Sequence, residues 1–100
     1  MTKRYDNLRS QCLVQAMELI TGDRFDEYGE PIENFTNIAA GWSVLLGQEI
    51  SPAQVSLCMA WLKMARLVQS PDHSDSYHDG AAYVALAYEL QNVDPDFDKM

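Results

Sequence analysis

Basic residues are scarce in this chain of 100 residues, which has 7 Lys and Arg against 15 Asp and Glu. The formal net charge of −8 repels nucleic-acid backbones unless the few cations are gathered in one place. General DNA or RNA binding is therefore disfavoured. An acidic surface can instead face a basic protein partner, although in most small acidic proteins it only maintains solubility.

Cysteine is scarce too, and the two present, Cys12 and Cys58, lie within apolar helical runs. We expect reduced, buried thiols rather than the disulfide framework of a small secreted domain. The sequence has no run of about 18 apolar residues and no apolar stretch typical of a signal peptide. It predicts no membrane insertion and a cytoplasmic location, in the host cell if a phage encodes the chain.

Glycine-rich phosphate loops of the Walker or Rossmann type are also missing, and neither cysteine lies where a helix N-terminus would stabilise a thiolate. These absences exclude a P-loop NTPase, a dinucleotide dehydrogenase and a cysteine protease.

Apolar residues, by contrast, make up 47% of the chain, which is the composition of a globular protein. We predict one helical domain over residues 1–91 and a frayed acidic tail over 92–100. A chain this short buries only about two-thirds of its unfolded surface, so self-association would help it, and a homo-oligomer is expected.

Helical periodicity predicts an all-α, four-helix up-and-down bundle. The first helix is expected over Tyr5–Ile20 with Gly22 as its C-terminal cap, before the polar loop GDRFDEYGEP. The second helix is expected to begin at Pro31 and to stop at Gly47.

The third helix has the best local signal, with Ser51 as N-cap, Pro52 in the first turn and Gln54 completing a capping box. Its run VSLCMAWLKMARLV is apolar on almost every side, which predicts a central position or a subunit interface. Ser76 is the expected N-cap of the fourth helix. The expected packing face of that helix comprises Tyr77, Ala81, Val84, Ala85 and Tyr88.

Lys63 and Arg66 interrupt this apolar third helix, and buried charges need an anion or water. The fourth helix must return antiparallel, which brings Asp75 and Asp79 near them. Structural salt bridges are one interpretation of this grouping. A phosphate-binding site is the other, in which Arg66 would bind by forked hydrogen bonds.

A weak metal-ligand pattern overlaps these residues, because His73, Asp75 and Asp79 form H-x-D-x-x-x-D. Glu33 would join them if the bundle closes in the usual order, and Mg²⁺ is then the possible cofactor. The simpler interpretation is that His73 is a solvated loop histidine and that Glu33 is a favourable charge at a helix N-terminus. Among the aromatic residues, Tyr28 and Tyr83 are the candidates for stacking on a ligand.

Four motifs occur in the order GDR, YG-x-P-x-ENF, LKMAR and H-x-D-x-x-x-DGAAY. In this order, over about residues 17 to 90, the chain resembles a family of small all-helical proteins of unknown function found mostly in bacteriophages. The resemblance implies phage origin and intracellular action. It implies no established activity.

A more distant resemblance is to the MazG-like nucleotide pyrophosphohydrolases, whose carboxylate sets hold Mg²⁺ over a triphosphate. It implies a MazG-like bundle. This sequence departs from the pattern, since Lys63 and Arg66 stand where carboxylates are expected, and Glu33, Asp75 and Asp79 are the remaining equivalents.

The functional hypothesis is therefore a phage-type protein that binds a phosphorylated, nucleotide-like ligand and withholds a host nucleotide immune signal. Lys63 and Arg66 would neutralise phosphate, and Arg24 and Tyr28 would close over the ligand, with an aromatic side chain such as Tyr83 stacking on it. Two alternatives stay open: a Mg²⁺-dependent nucleoside polyphosphate hydrolase, and an acidic inhibitor that binds a host protein.

Overall fold

A computed structural model describes residues 7–21 and 30–93. The described residues form four α-helices and no strand, which confirms the predicted all-α class. The helices are α1 (Leu8–Ile20), α2 (Pro31–Leu46), α3 (Pro52–Gln69) and α4 (Ser74–Asn92). Within these ranges, no helix combines the length and the apolar character that crossing a bilayer requires.

The predicted boundaries of α2 and the predicted start of α3 are confirmed. Pro31 occupies the first turn of α2, and Gly47 ends that helix in the left-handed conformation with φ 65°. At the start of α3 the Ser51 hydroxyl accepts from the Gln54 amide at 3.1 Å. The Gln54 side chain in turn accepts from the Ser51 amide at 2.8 Å, which completes the capping box.

The predicted start of α4 is wrong. The helix begins at Ser74 after His73, and Ser76 is a fully buried helical residue. The Ser76 hydroxyl lies 2.8 Å from Nδ1 of His73, so a contact inside the first turn takes the place of the expected cap. The prediction failed because serine is compatible both with the N-cap position and with a position inside the first turn of a helix.

The first helix begins at Leu8, later than predicted, and the Asn7 side chain accepts from the Ser10 amide. Tyr5 and the predicted cap Gly22 lie outside the described residues, as do most of the GDRFDEYGEP loop and the tail beyond Val93. The predicted domain limits therefore stay a prediction.

The centre of the fold is an antiparallel hairpin of α3 and α4. The pairs Ser56 with Tyr83 and Lys63 with Gly80 are in contact. A set of buried and half-buried positions follows the alternating three- and four-residue spacing of a coiled coil on both helices, while Val55 and Ala82 are buried outside this pattern. This seam comprises Ala53, Ser56, Ala60, Lys63 and Leu67 of α3 and Ser76, Gly80, Tyr83, Ala87 and Leu90 of α4.

The remaining helices pack on the hairpin, with α1 against α4 and α2 mainly against α3. Phe35 of α2 forms the core with Ala53 and Leu90, which joins three helices. Among the described residues nine apolar side chains are buried, and six of these are alanines. The monomer thus buries few large apolar groups.

The predicted packing face of α4 is wrong. Tyr77 is 47% exposed, Val84 50% and Tyr88 76%, and Ala85 is exposed as well. The buried face lies one residue away in register, at the small residues Ser76, Gly80 and Ala87. Small side chains allow two helices to approach closely, and this close contact displaces the larger side chains outward.

Cys58 also departs from the expectation of a buried thiol. It is free and exposed on α3, whereas Cys12 is free and half-buried. Position 58 lies away from the seam, on the outward side of α3.

Candidate functional site

Lys63 is a member of the seam rather than an isolated charge. Its Nζ lies 3.2 Å from a carboxylate oxygen of Asp79, and the two side chains are 21% and 27% exposed. The base of the Lys63 side chain packs against Gly80, where a Cβ would be 3.6 Å from Lys63 Cβ. The predicted salt bridge therefore forms with Asp79, and it offsets the ammonium charge within the hairpin.

Arg66 lies one turn further on, in the last turn of α3, and is exposed. Asp75 is exposed in the first turn of α4. Within residues 7–21 and 30–93, Lys63 and Asp79 form the ion pair, and Arg66 has none. At this position Arg66 also interacts favourably with the negative end of the α3 dipole.

Ser56 lies seven residues before Lys63, in the same seam of α3. It is fully buried, and its hydroxyl donates to the Tyr83 carbonyl at 2.7 Å. Ser56 therefore holds the two helices together and is closed to a ligand.

The candidate metal ligands do not come together. In the described part of the chain, no three His, Cys, Asp or Glu side chains are close enough to hold a metal ion. Glu33 is exposed in the first turn of α2, and His73 is half-buried beside Ser76.

The aromatic candidate Tyr83 stacks within the protein, with its ring centroid 6.4 Å from that of Phe35. This pair ties α4 to α2 and occupies one face of the tyrosine. Arg24 and Tyr28 lie outside the described residues.

A separate open groove of about 1000 Å³ runs along the α2–α3 connection, and Ala39, Ser43 and Gln54 are among its lining residues. Its central hydroxyl is engaged, since Ser43 donates to the Ala39 carbonyl at 2.7 Å and accepts from the Ile50 amide at 2.8 Å. These bonds fix the connection between the helices.

A third region is the apolar side of the hairpin, which we call the outer face. It comprises Leu57, Trp61, Met64 and Val68 of α3 and Tyr77, Ala81, Val84 and Tyr88 of α4. On each helix these residues follow the seam by one position and repeat its spacing. Because α3 and α4 are antiparallel, the two stripes lie on the same side of the hairpin.

The outer face is both exposed and uncharged. Trp61 is 67% exposed, Val68 86% and Tyr88 76%. The charged residues of α3 and α4 all fall in the seam or on its opposite flank: Lys63, Arg66, Asp75, Asp79 and Glu89. Lys63 and Arg66 thus lie away from the outer face of the hairpin.

The sequence hypotheses missed the outer face because they assigned its α4 half to the core. The signal was present on both helices as an apolar stripe of mostly large residues, offset by one residue from a stripe of mostly small residues. Two adjacent stripes make a face broader than one neighbouring helix covers.

Two curated phage proteins are similar to this chain. The Gene 55 protein of Mycobacterium phage D29 is 42% identical over 78 residues, which are 78% of this chain and 52% of that protein. The Gene 55 protein of Mycobacterium phage L5 is 35% identical over 80 residues, which are 79% of this chain and 51% of that protein. The chain thus spans about half the length of these relatives.

No solved structure matches the chain. The relatives support the bacteriophage origin that the motifs indicated, and they bring no MazG-like enzyme. Residues 11–91 match the model of a domain of unknown function, DUF6378, and the chain belongs to that family.

Proposed function

We propose that this phage domain acts by binding protein through the outer face of its α3–α4 hairpin. The observation that carries the proposal is the exposure of large apolar side chains there, with no charged residue among them. Soluble monomers rarely expose contiguous apolar patches above a few hundred Å², and larger patches mark interaction sites.

The chemistry of the outer face fits a protein partner. The centre of a protein interface is depleted in charged residues and enriched in Trp, Tyr and Met, and all three types occur here. The acidic remainder of the chain, at a net charge of −8, keeps such a surface in solution. This refines the alternative of an acidic protein-binding inhibitor, because the contact surface is apolar.

The experiment is affinity capture of the full chain from host cells with quantitative mass spectrometry. We compare the parent with Trp61→Glu and with Leu45→Glu, a matched control 82% exposed on α2. A specific partner is expected to be lost with Trp61→Glu and kept with Leu45→Glu, because only the first places a charge on the outer face. If every captured protein survives Trp61→Glu, the outer face is not a binding surface.

A second candidate is the phosphorylated, nucleotide-like ligand, and the position of Arg66 favours it. This side chain is exposed and has no ion pair among the described residues, so its guanidinium is free to bind phosphate. Lys63 contributes less than the sequence suggested, since Asp79 already offsets its charge. Such binding would sequester a host nucleotide signal.

A thermal-shift screen with linear and cyclic nucleotides tests this candidate. A true ligand stabilises the fold by about 2.7 kcal/mol at a hundredfold excess over its Kd. The shift should vanish in Arg66→Ala and persist in Arg9→Ala, a control on α1. A panel without any shift, or a shift unchanged in Arg66→Ala, would contradict the candidate.

The Mg²⁺-dependent hydrolase has no comparable support. In the described ranges the carboxylates it needs are not assembled, and Lys63 uses Asp79 as a salt-bridge partner.

A further inference from the structure

We infer that the outer face binds a second copy of this chain, which forms a two-fold symmetric dimer of α3–α4 hairpins. This inference rests on the proposed protein-binding function and names its partner. Four helices, two from each copy, would then surround a shared apolar core.

The spacing of the side chains is the first argument. Leu57, Trp61, Met64 and Val68 follow one another by four, three and four residues, and so do the outer-face residues of α4. This is the spacing at which helices of a bundle interlock. Both helices of the hairpin present it on the same side, so the face offers two complete helix-packing stripes.

Symmetry is the second argument. The two stripes occupy the same positions relative to the seam on two antiparallel helices. An interface between identical subunits with two-fold symmetry requires one patch that complements itself. An uncharged face of matched helix stripes meets this condition, because it places no like charges against each other.

The exposed area is the third argument. Seven side chains of the outer face, all except Ala81, are 46–86% exposed. Since a buried aromatic side chain covers 150–250 Å², the exposed fractions of Trp61, Tyr77 and Tyr88 alone amount to roughly 300–500 Å². A standard interface buries about 800 Å² per partner, so these three side chains supply roughly half of that area and the four other exposed apolar side chains add to it.

Charge placement is the fourth argument. A chain of net charge −8 would resist self-association through any acidic surface. The acidic residues within the two helices, Asp75, Asp79 and Glu89, lie on the flank opposite the outer face. Face-to-face packing therefore keeps these carboxylates apart and exposed to water.

The experiment measures the mass of the purified full chain in solution, by light scattering and sedimentation equilibrium over a range of concentrations. The parent is expected at twice the chain mass. Trp61→Glu and Val84→Glu place one charge on the α3 and the α4 half of the face. Each should raise the dimer dissociation constant by about tenfold or more and leave the helical circular dichroism signal intact.

The matched control is Leu45→Glu, which introduces the same charge at an exposed apolar position outside the face, 82% exposed. It should remain dimeric. Tyr88→Ser, at a position 76% exposed, provides a second α4 variant if Val84→Glu loses helicity.

A parent that is monomeric at all concentrations, an assembly larger than two copies, or a Trp61→Glu variant as dimeric as the parent would overturn the inference. These results distinguish a failure of the dimer from a failure of the proposed protein-binding function. A monomeric parent that still captures another protein through Trp61 refutes the dimer and retains protein binding, whereas a parent that neither dimerises nor captures any protein refutes both.

Discussion

The seam and the outer face of the α3–α4 hairpin are one residue apart in register, yet they differ in almost every physical respect. The seam contains Ala60, Gly80 and Ala87, and it buries two serine hydroxyls, each with a hydrogen-bond partner. The outer face carries Trp61, Tyr88 and other large side chains in contact with solvent. Six of the ten seam residues are Ala, Ser or Gly, so small side chains at most positions distinguish the seam from the outer face.

Close approach explains this choice. Helices separated by small residues gain extensive van der Waals contact, and Ser56 can then reach the Tyr83 carbonyl at 2.7 Å. The outer face is not buried in the monomer. A partner that covered it would gain about 25 cal/mol of free energy per Å² of apolar surface buried. The difference teaches that close packing of small side chains holds the hairpin together, while its large apolar side chains remain in contact with solvent.

Overfilling the seam should have the largest effect. Ala60, 2% exposed, packs near Gly80, so Ala60→Leu is expected to lower the free energy of unfolding by about 1–3 kcal/mol through steric strain. Ala65→Leu makes the same change at an exposed position of α3 and should stay within about 0.5 kcal/mol. Chemical denaturation at fixed protein concentration measures both. Equal effects would remove the distinction between the two sides of α3.

Removal of the buried hydroxyl of Ser56 should have the second-largest effect on stability. Ser56→Ala removes its bond to the Tyr83 carbonyl and is expected to cost about 1 kcal/mol of unfolding free energy. The measurement is the same denaturation curve, with Ser74→Ala at an exposed position of α4 as the control. A neutral result for Ser56→Ala would mean that the bond contributes nothing to holding α3 against α4.

The third prediction, Gly80→Ala, tests how closely α3 and α4 are packed at the seam. The added Cβ would meet Lys63 Cβ at 3.6 Å, an ordinary contact, so the gain in helix propensity should dominate. We expect about 0.5–1 kcal/mol of stabilisation, measured as a rise in Tm. Gly41→Ala in α2, where nothing lies within 4 Å, should gain as much. Destabilisation confined to Gly80→Ala would reveal a seam tighter than the distance indicates.

The ion pair should have the smallest effect. A double-mutant cycle with Lys63→Met and Asp79→Asn is expected to give a coupling energy of about 0.2–1 kcal/mol, because both side chains remain partly exposed. The coupling should shrink at high salt. A larger coupling that salt does not affect would show that water is excluded from the pair.

The site predictions succeeded and failed for separate reasons. The antiparallel return of α4 followed from the short turn, and it correctly placed an aspartate beside Lys63. The sequence could not decide that Tyr83 stacks on Phe35 or that Ser56 faces the seam. Those contacts depend on the rotation of each helix about its axis, which two adjacent apolar stripes leave ambiguous.

The sequence by itself determined the all-α class, both ends of α2 and the start of α3, because Pro31, Gly47 and the Ser51 capping box act through local backbone geometry and nearby hydrogen bonds. Only the tertiary structure decided which apolar stripe is buried, because that choice depends on how closely two helices can approach. The alanines, serines and glycine of the seam permit that approach, and the large side chains beside them are left on the surface.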